Sequence, residues 1–296
     1  DDFGKPLKSR KTQPETWFNR YRENIESRMR RKETEGNLPD IQFSIPSRFK
    51  QFQVFSMRNL KSKRANLQYI LLNITEAPAL ALILSYFSKF ITAEGYILAQ
   101  NKNLPVFLFM SIIVALFMGL TISAEEIIKD RKILERESFL NLSWTSYLNS
   151  KILYLFALSA IQTFTFVLIS NEILEIRSML IPFWFILFST SCFGNMIGLN
   201  ISSGLNSVIT IYILIPLILV PHLLLGGAMI PFDDLHKNIT SKKFVPVIGN
   251  LMVTRWSYEA MTVKHFKDNN FEKHFFAYDK SISNAEYKTS FPIPQL

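Results

Sequence analysis

Long uncharged apolar runs alternate along this chain with short polar or charged intervals. Leu104 to Ala124, Ile152 to Asn171 and Met179 to Ile201 contain no Asp, Glu, Lys or Arg. Each is long enough to cross a bilayer core as a helix, which takes about 20 apolar residues. An earlier run over residues 66–88 carries only Glu76 as a charge and has Pro78 inside it. A later one, Leu205 to Phe232, is uncharged and longer than one crossing needs. The pattern predicts an all-α membrane protein with spans near 66–88, 104–124, 152–171, 179–201 and 205–230.

The interval from Ser123 to Lys151 differs from the others. It reads Ser123-Ala124-Glu125-Glu126-Ile127-Ile128-Lys129-Asp130-Arg131-Lys132-Ile133-Leu134-Glu135-Arg136-Glu137 and continues through Tyr147 to Lys151. Acids and bases alternate at helical spacing, and Ile127, Ile128, Ile133, Leu134 and Leu140 supply an apolar stripe. A charged helix at 125–137, hung between two spans, can carry a push from a soluble partner into the membrane. A solvated loop whose bases only fix topology is the competing reading.

Charge sets the orientation. The net charge is +9, and residues 1–64 hold sixteen Lys/Arg against eight Asp/Glu. A basic segment ahead of the first span suits an anionic cytoplasmic leaflet and places the amino end in the cytoplasm. Loops 89–103 and 171–178 then fall outside, 125–151 and 202–204 inside, and the segment after Pro231 outside. Because the basic arm leads straight into membrane helices, lipid rather than nucleic acid is its expected partner. Cys192 is the single cysteine and lies in an apolar run, so no disulfide forms within the chain. The polar first thirty residues do not read as a secretory signal peptide, and none is expected in this stretch.

Two amphipathic helices precede the spans. Thr12-Gln13-Pro14-Glu15 has capping-box spacing, and Trp17, Tyr21, Ile25 and Met29 recur every four residues until Gly36-Asn37-Leu38-Pro39-Asp40 breaks the pattern. Ser47 is placed to cap a helix over 48–64, with Phe49, Phe52, Phe55 and Leu60 on one face and six Lys/Arg around the rest. Such a helix lies in the headgroup plane as an elbow at 47–64. Beyond the last span, 245–266 is amphipathic around Trp256, Tyr258, Met261 and Phe266, a re-entrant or interfacial piece flanked by Lys242 and Lys243. The last thirty residues read as polar loop.

Three stretches together resemble the White-type (G subfamily) ABC transporters. Ser123-Ala124-Glu125-Glu126 through Glu137 to Tyr147 and Lys151 is similar to that family's cytoplasmic connection after the second span. Leu225-Gly226-Gly227-Ala228-Met229-Ile230-Pro231 resembles its small-residue turn at the outer end of span five. Arg255-Trp256-Ser257-Tyr258-Glu259-Ala260 resembles the aromatic motif before span six. They occur in family order over about 47–266. The resemblance implies an ABC-2 type membrane domain of a bacterial ATPase-permease fusion, with five of six spans present. Residues 1–46 then read as a linker from an ATP-binding domain in the same polypeptide. No Gly-x-x-x-x-Gly-Lys-Ser/Thr loop occurs here, so ATP and Mg would be bound outside this stretch.

The resemblance further implies a dimer of two copies, or of homologous halves, in the inner (cytoplasmic) membrane. It makes Glu126, Asp130, Arg131, Lys132, Arg136 and Glu137 the set that contacts the ATPase. The transport path falls to Ile112, Leu116 and Gly119 in span two and to Pro216, Val220, Ala228 and Met229 at span five. Multidrug members carry an aromatic and an amide where Gly119 and Leu116 stand, so lipid-like or amphipathic cargo is expected rather than flat drugs. These side chains can equally serve only to pack helices.

Asn73 and Glu76 are the polar pair inside the first span, fit for a relay or an interhelical bond. Asn195 and Asn200 flank Gly198, and Gly194-x-x-x-Gly198 permits close helix approach. His222 reads as a packing residue, and neither it nor His265 and His274 has metal-ligand spacing. Asn238-Ile239-Thr240 is a chance-length sequon. No nucleophile motif supports catalysis. Two other functions stay open: a membrane anchor or assembly protein that recruits a soluble partner, and an ion-coupled carrier using Glu76.

Overall fold

The computed structural model describes residues 13–26, 46–91, 95–137, 140, 142–230, 232, 235–236, 245–268 and 274–290. Helices dominate, and no strand is present among the described residues. The chain divides into two units, 1–45 and 46–296. In the first, helix α1 (Pro14–Tyr21) continues as a π-turn over Arg22–Glu26. Its N-cap is Gln13, which makes no side-chain cap bond, with Pro14 opening the first turn. Trp17, Phe18, Tyr21 and Ile25 are exposed. Thr12, Met29 and the Gly36–Asp40 break lie outside the described residues.

The second unit is built from α2 (Arg48–Ala65), α3 (Leu67–Ser88), α4 (Leu104–Ser123), α5 (Glu126–Glu137), α6 (Trp144–Leu174), α7 (Leu180–Gly204) and α8 (Val208–Leu224). They are followed by α9 (Val247–Asn250), α10 (Val253–Asp268) and α11 (Phe276–Ser290). Four helices are long and apolar enough to span a membrane: α3, α4 (near-continuous with α5), α6 and α7. This is a multi-pass membrane protein. At 17 residues, α8 is shorter than the 205–230 span expected. It covers about 25 Å, less than a bilayer core of about 30 Å. Pro216 and Pro221 each remove a backbone donor from it. The chain then turns at Gly227, whose φ of +79° suits glycine.

Helix α6 starts at Trp144, ahead of the apolar run that begins at Ile152. Ser143 caps it by accepting the Ser146 N–H, and Lys151 in its second turn is paired rather than solvated. The tail expected as loop contains α11, whose first turn carries Asp279 to favour the helix dipole.

Helix α4 is the centre of the bundle. Two-thirds of its apolar window is buried, against 17% for α3. It lies closest to α7 because glycines face the contact. A Cβ on Gly194 would sit 2.7 Å from the Leu116 carbonyl oxygen; Gly119 abuts the Ser191 carbonyl, and Gly198 the Ser123 hydroxyl. The Gly194-x-x-x-Gly198 reading therefore holds, with packing as its role. Asn195 donates to Ser159 Oγ at 2.8 Å, tying α7 to α6.

The two ends of the bundle carry different attachments. Helix α5 sits where α4 and α7 end and α6 and α8 begin. Helix α10 packs in the opposite half. Thr254 donates to the His222 carbonyl at 2.8 Å, the Thr190 and Ser257 hydroxyls bond at 2.7 Å, and Tyr258 meets Phe109 edge-on. His265 then lies against Phe183 in the first turn of α7. Thus α10 runs from the middle of α7 back toward its start. Lys242, Lys243, Pro231 and Asn238–Thr240 lie outside the described residues.

Adding one methyl at Gly194 should cost about 1–3 kcal/mol by overpacking a backbone contact. Gly204 has open space around it. Gly194→Ala is expected to melt several degrees lower than the parent in detergent, with Gly204→Ala unchanged.

Candidate functional site

The surface end of the bundle, where α2, α5 and α6 converge, holds the densest chemistry in the chain. Glu126 opens α5 and is 3% exposed; Lys151 in α6 is 4% exposed. Lys151 Nζ donates to Glu126 Oε2 at 3.0 Å and to Asn59 Oδ1 at 3.2 Å, and lies 2.8 Å from Asp130 Oδ2. Lys63 from α2 bonds the other Glu126 oxygen, and Tyr147 donates to Asp130 at 3.1 Å. Two acids thus face two ammonium groups, with Lys151 further bonded to Asn59 and Asp130 to Tyr147. Those are the conditions under which buried charge is tolerated.

Further contacts fix α5 in place. The first backbone donors of α5 lack helical partners, and Ser202 of α7 fills that role by accepting from Ile127 and Ile128 at 3.0 and 3.1 Å. Arg131 reaches the α7–α8 turn, donating to Asn206 and to the Ser203 and Leu205 carbonyls. At the far end Glu137 accepts two bonds from Arg58 at 2.9 and 3.0 Å. Glu125, just before the helix, is pushed up by burial. Hydrogen bonds from Lys129 and Tyr212 outweigh that and hold it below the usual carboxylate range.

These placements divide the six sequence-predicted contact residues. Glu126, Asp130, Arg131 and Glu137 are engaged with the protein's own helices and are partly or wholly shielded. Lys132 and Arg136 are exposed. A groove of about 480 Å³ runs beside α5, lined by Leu134, Leu142, Trp144 and Arg131 among others. A second cavity, of about 430 Å³, lies over the charge cluster.

The expected face of α2 is corrected. Its buried stripe is Gln51, Phe55 and Asn59, spaced by four, while Phe49 is 68% exposed. Gln51 accepts the Ser143 N–H at 2.8 Å, and Phe55 packs edge-on against Tyr147. A sequence search for aromatic faces passes over this stripe because its two ends are amides. Lys63 and Ser202 were missed for a different reason: each acts on a helix far away in sequence.

The seven path residues separate into two groups. Ile112, Leu116 and Gly119 are buried inside the single chain, with Gly119 against α7, so they do not line an open surface here. Pro216, Val220 and Met229 are exposed and Ala228 half-buried. The partly exposed stripe of α4 is instead Met110, Ile113, Val114, Phe117 and Thr121. Asn73 and Glu76 form no relay. The Asn73 side-chain amide donates to the Tyr69 carbonyl at 2.7 Å, and the Asn73 backbone carbonyl accepts from Gln162 of α6. Among the described residues no three His, Cys, Asp or Glu side chains could hold a metal ion together.

The family model described as ABC-2 type transporter matches residues 50–264. No curated protein matches the chain.

Removing Lys151 leaves buried Glu126 with Lys63 alone and half-buried Asp130 with only the Tyr147 hydroxyl, and breaking a buried pair costs about 3–5 kcal/mol. Lys151→Met is expected to unfold at markedly lower temperature, whereas Lys132→Ala should stay within about 0.5 kcal/mol of the parent. Thermal unfolding of the detergent-solubilised protein checks both.

Proposed function

Since the chain belongs to the ABC-2 type transporter family, whose model spans well over half of it, we propose that it is the membrane part of an ATP-driven exporter of the G-subfamily type. Its cargo is lipid-like or amphipathic, and it works by alternating access as a dimer of two copies or of homologous halves. An ATP-binding component, fused upstream in the same polypeptide, supplies ATP, Mg and hydrolysis; this part holds no catalytic residue of its own. The amino end and α5 face the cytoplasm of a cell whose inner membrane it crosses, and α10 dips back into the bilayer from the far side.

One observation carries the coupling: α5 is clamped by charge to α2 and α6 and by Arg131 and Ser202 to α7 and the turn before α8. A displacement of α5 therefore has no slack to be lost in. It reaches the inner ends of α4, α6, α7 and α8 together. The exposed bases Lys132 and Arg136 are the contacts left for the ATP-binding component, with the neighbouring 480 Å³ groove as the seat for an apolar side chain from it. On the transport side, the exposed Pro216, Val220 and Met229 face the partner half across the path.

Burial makes Glu126 a poor test of docking, because its reversal would damage the fold. The double charge reversal Lys132→Glu/Arg136→Glu is the cleaner one. It should lower ATP-dependent efflux of a fluorescent lipid from proteoliposomes by about tenfold while leaving the melting temperature unchanged. Unchanged efflux would remove α5 from the coupling path.

A further inference from the structure

Next to the charge cluster, and sharing Glu126 with it, a cavity of about 280 Å³ opens between α3, the cytoplasmic-end turn of α4 and α8. Its wall includes Asn73 and Glu76 of α3, Thr121 of α4, Glu125 and Lys129, and Tyr212 of α8. Helix α3 packs on α4 and α6, and α8 on α4, so the cavity occupies the cleft over α4 that the other two helices border.

The charges around it do not balance. Glu125 is matched by Lys129 and by the Tyr212 hydroxyl. Glu126 is matched by Lys63 and Lys151. Glu76 is half-buried, lies well inside α3, and has no hydrogen bond or ion pair among the described residues. A carboxylate at membrane depth costs about 2.5–3.5 kcal/mol unless it meets protein or water. Its neighbours Asn73 and Thr121 do not relieve it: the Asn73 amide is spent on the Tyr69 carbonyl, and the Thr121 hydroxyl on the Phe117 and Met118 carbonyls. What remains is one acid in the wall of a small cavity that Tyr212 of α8 also lines, and Ile209, Ile213 and Leu217 of that helix are exposed.

We propose that this cavity binds the cationic headgroup of an amine-bearing amphipath, with the Glu76 carboxylate as its counter-ion. The ammonium group would lie among Glu76, Thr121 and Tyr212, and the apolar chain would run out along α8 toward lipid. The volume suits a headgroup and its first methylenes rather than a drug-sized molecule, since drug pockets run from about 300 to 1,000 Å³. This narrows the amphipathic cargo proposed above to a cationic class, yet binding at the cavity does not itself require ATP or transport.

The test uses the full-length protein in phosphatidylcholine nanodiscs, with tritiated dodecylamine as the probe and tritiated dodecanol as its neutral match. Saturable dodecylamine binding is expected, weakened about tenfold in Glu76→Gln, as loss of a charge-assisted hydrogen bond predicts. Dodecanol binding should be the same in both proteins, which shows that the cavity survives the substitution. Equal dodecylamine binding by parent and variant, or no saturable binding by the parent, overturns the proposal. The two readings fail separately. ATP-driven lipid efflux with amine binding indifferent to Glu76 sinks only this one, and amine binding without any efflux sinks only the exporter.

Discussion

Two carboxylates and two ammonium groups, Glu126 and Lys151 buried and Asp130 and Lys63 partly so, decide how this membrane protein is put together at one end where α2, α5 and α6 meet. None of them would be stable there alone. Glu126 needs both Lys63 and Lys151, Asp130 needs Lys151 and the Tyr147 hydroxyl, and Asn59 takes the third bond of Lys151. Buried pairs of this kind add little net stability over an apolar equivalent, but they punish any other arrangement by leaving a charge unmatched. Their consequence is therefore register. Helix α5 has one orientation relative to α2 and α6, and Arg58 with Glu137 fixes its far end in the same frame.

The rest of the bundle follows a different rule. Within the apolar half, backbone approach rather than charge sets the geometry. Glycines at 119, 194 and 198 let α4 and α7 touch main chain to main chain, and short hydroxyl and amide bonds such as Asn195 to Ser159 supply direction. Helix α10 uses the same means, through Thr254, Ser257 and Tyr258. A rigid apolar bundle joined to a charge-locked surface layer is a construction that suits the coupling proposed above.

Much of this layout was legible in the residues. Uncharged runs marked α4, α6 and α7 because hydrocarbon tolerates no other composition, and the alternating charges marked α5. The proline-bearing stretch after Leu205 was legible as apolar but not as short. Its helix ends where Gly226 and Gly227 turn the chain, and an apolar run carries no sign of that. The ion partners were illegible for another reason. Lys63 and Glu126, like Gln51 and Ser143, lie far apart in the chain, and nothing local says which base on a many-based helix points inward. Likewise the periodicity of α4 does not tell which of its faces meets α7. The resemblance alone put Ile112, Leu116 and Gly119 on an open path, and the fold buries them.

The central claim of the proposed coupling is that α2 and α5 move as one piece. Spin labels at Lys61 and Lys132, both exposed, measure it in the full-length protein on a Cys192→Ser background. The account predicts one narrow distance distribution, unchanged between nucleotide-free and ATP-bound protein. A distance that shifts with ATP, or a broad distribution in either state, would contradict it.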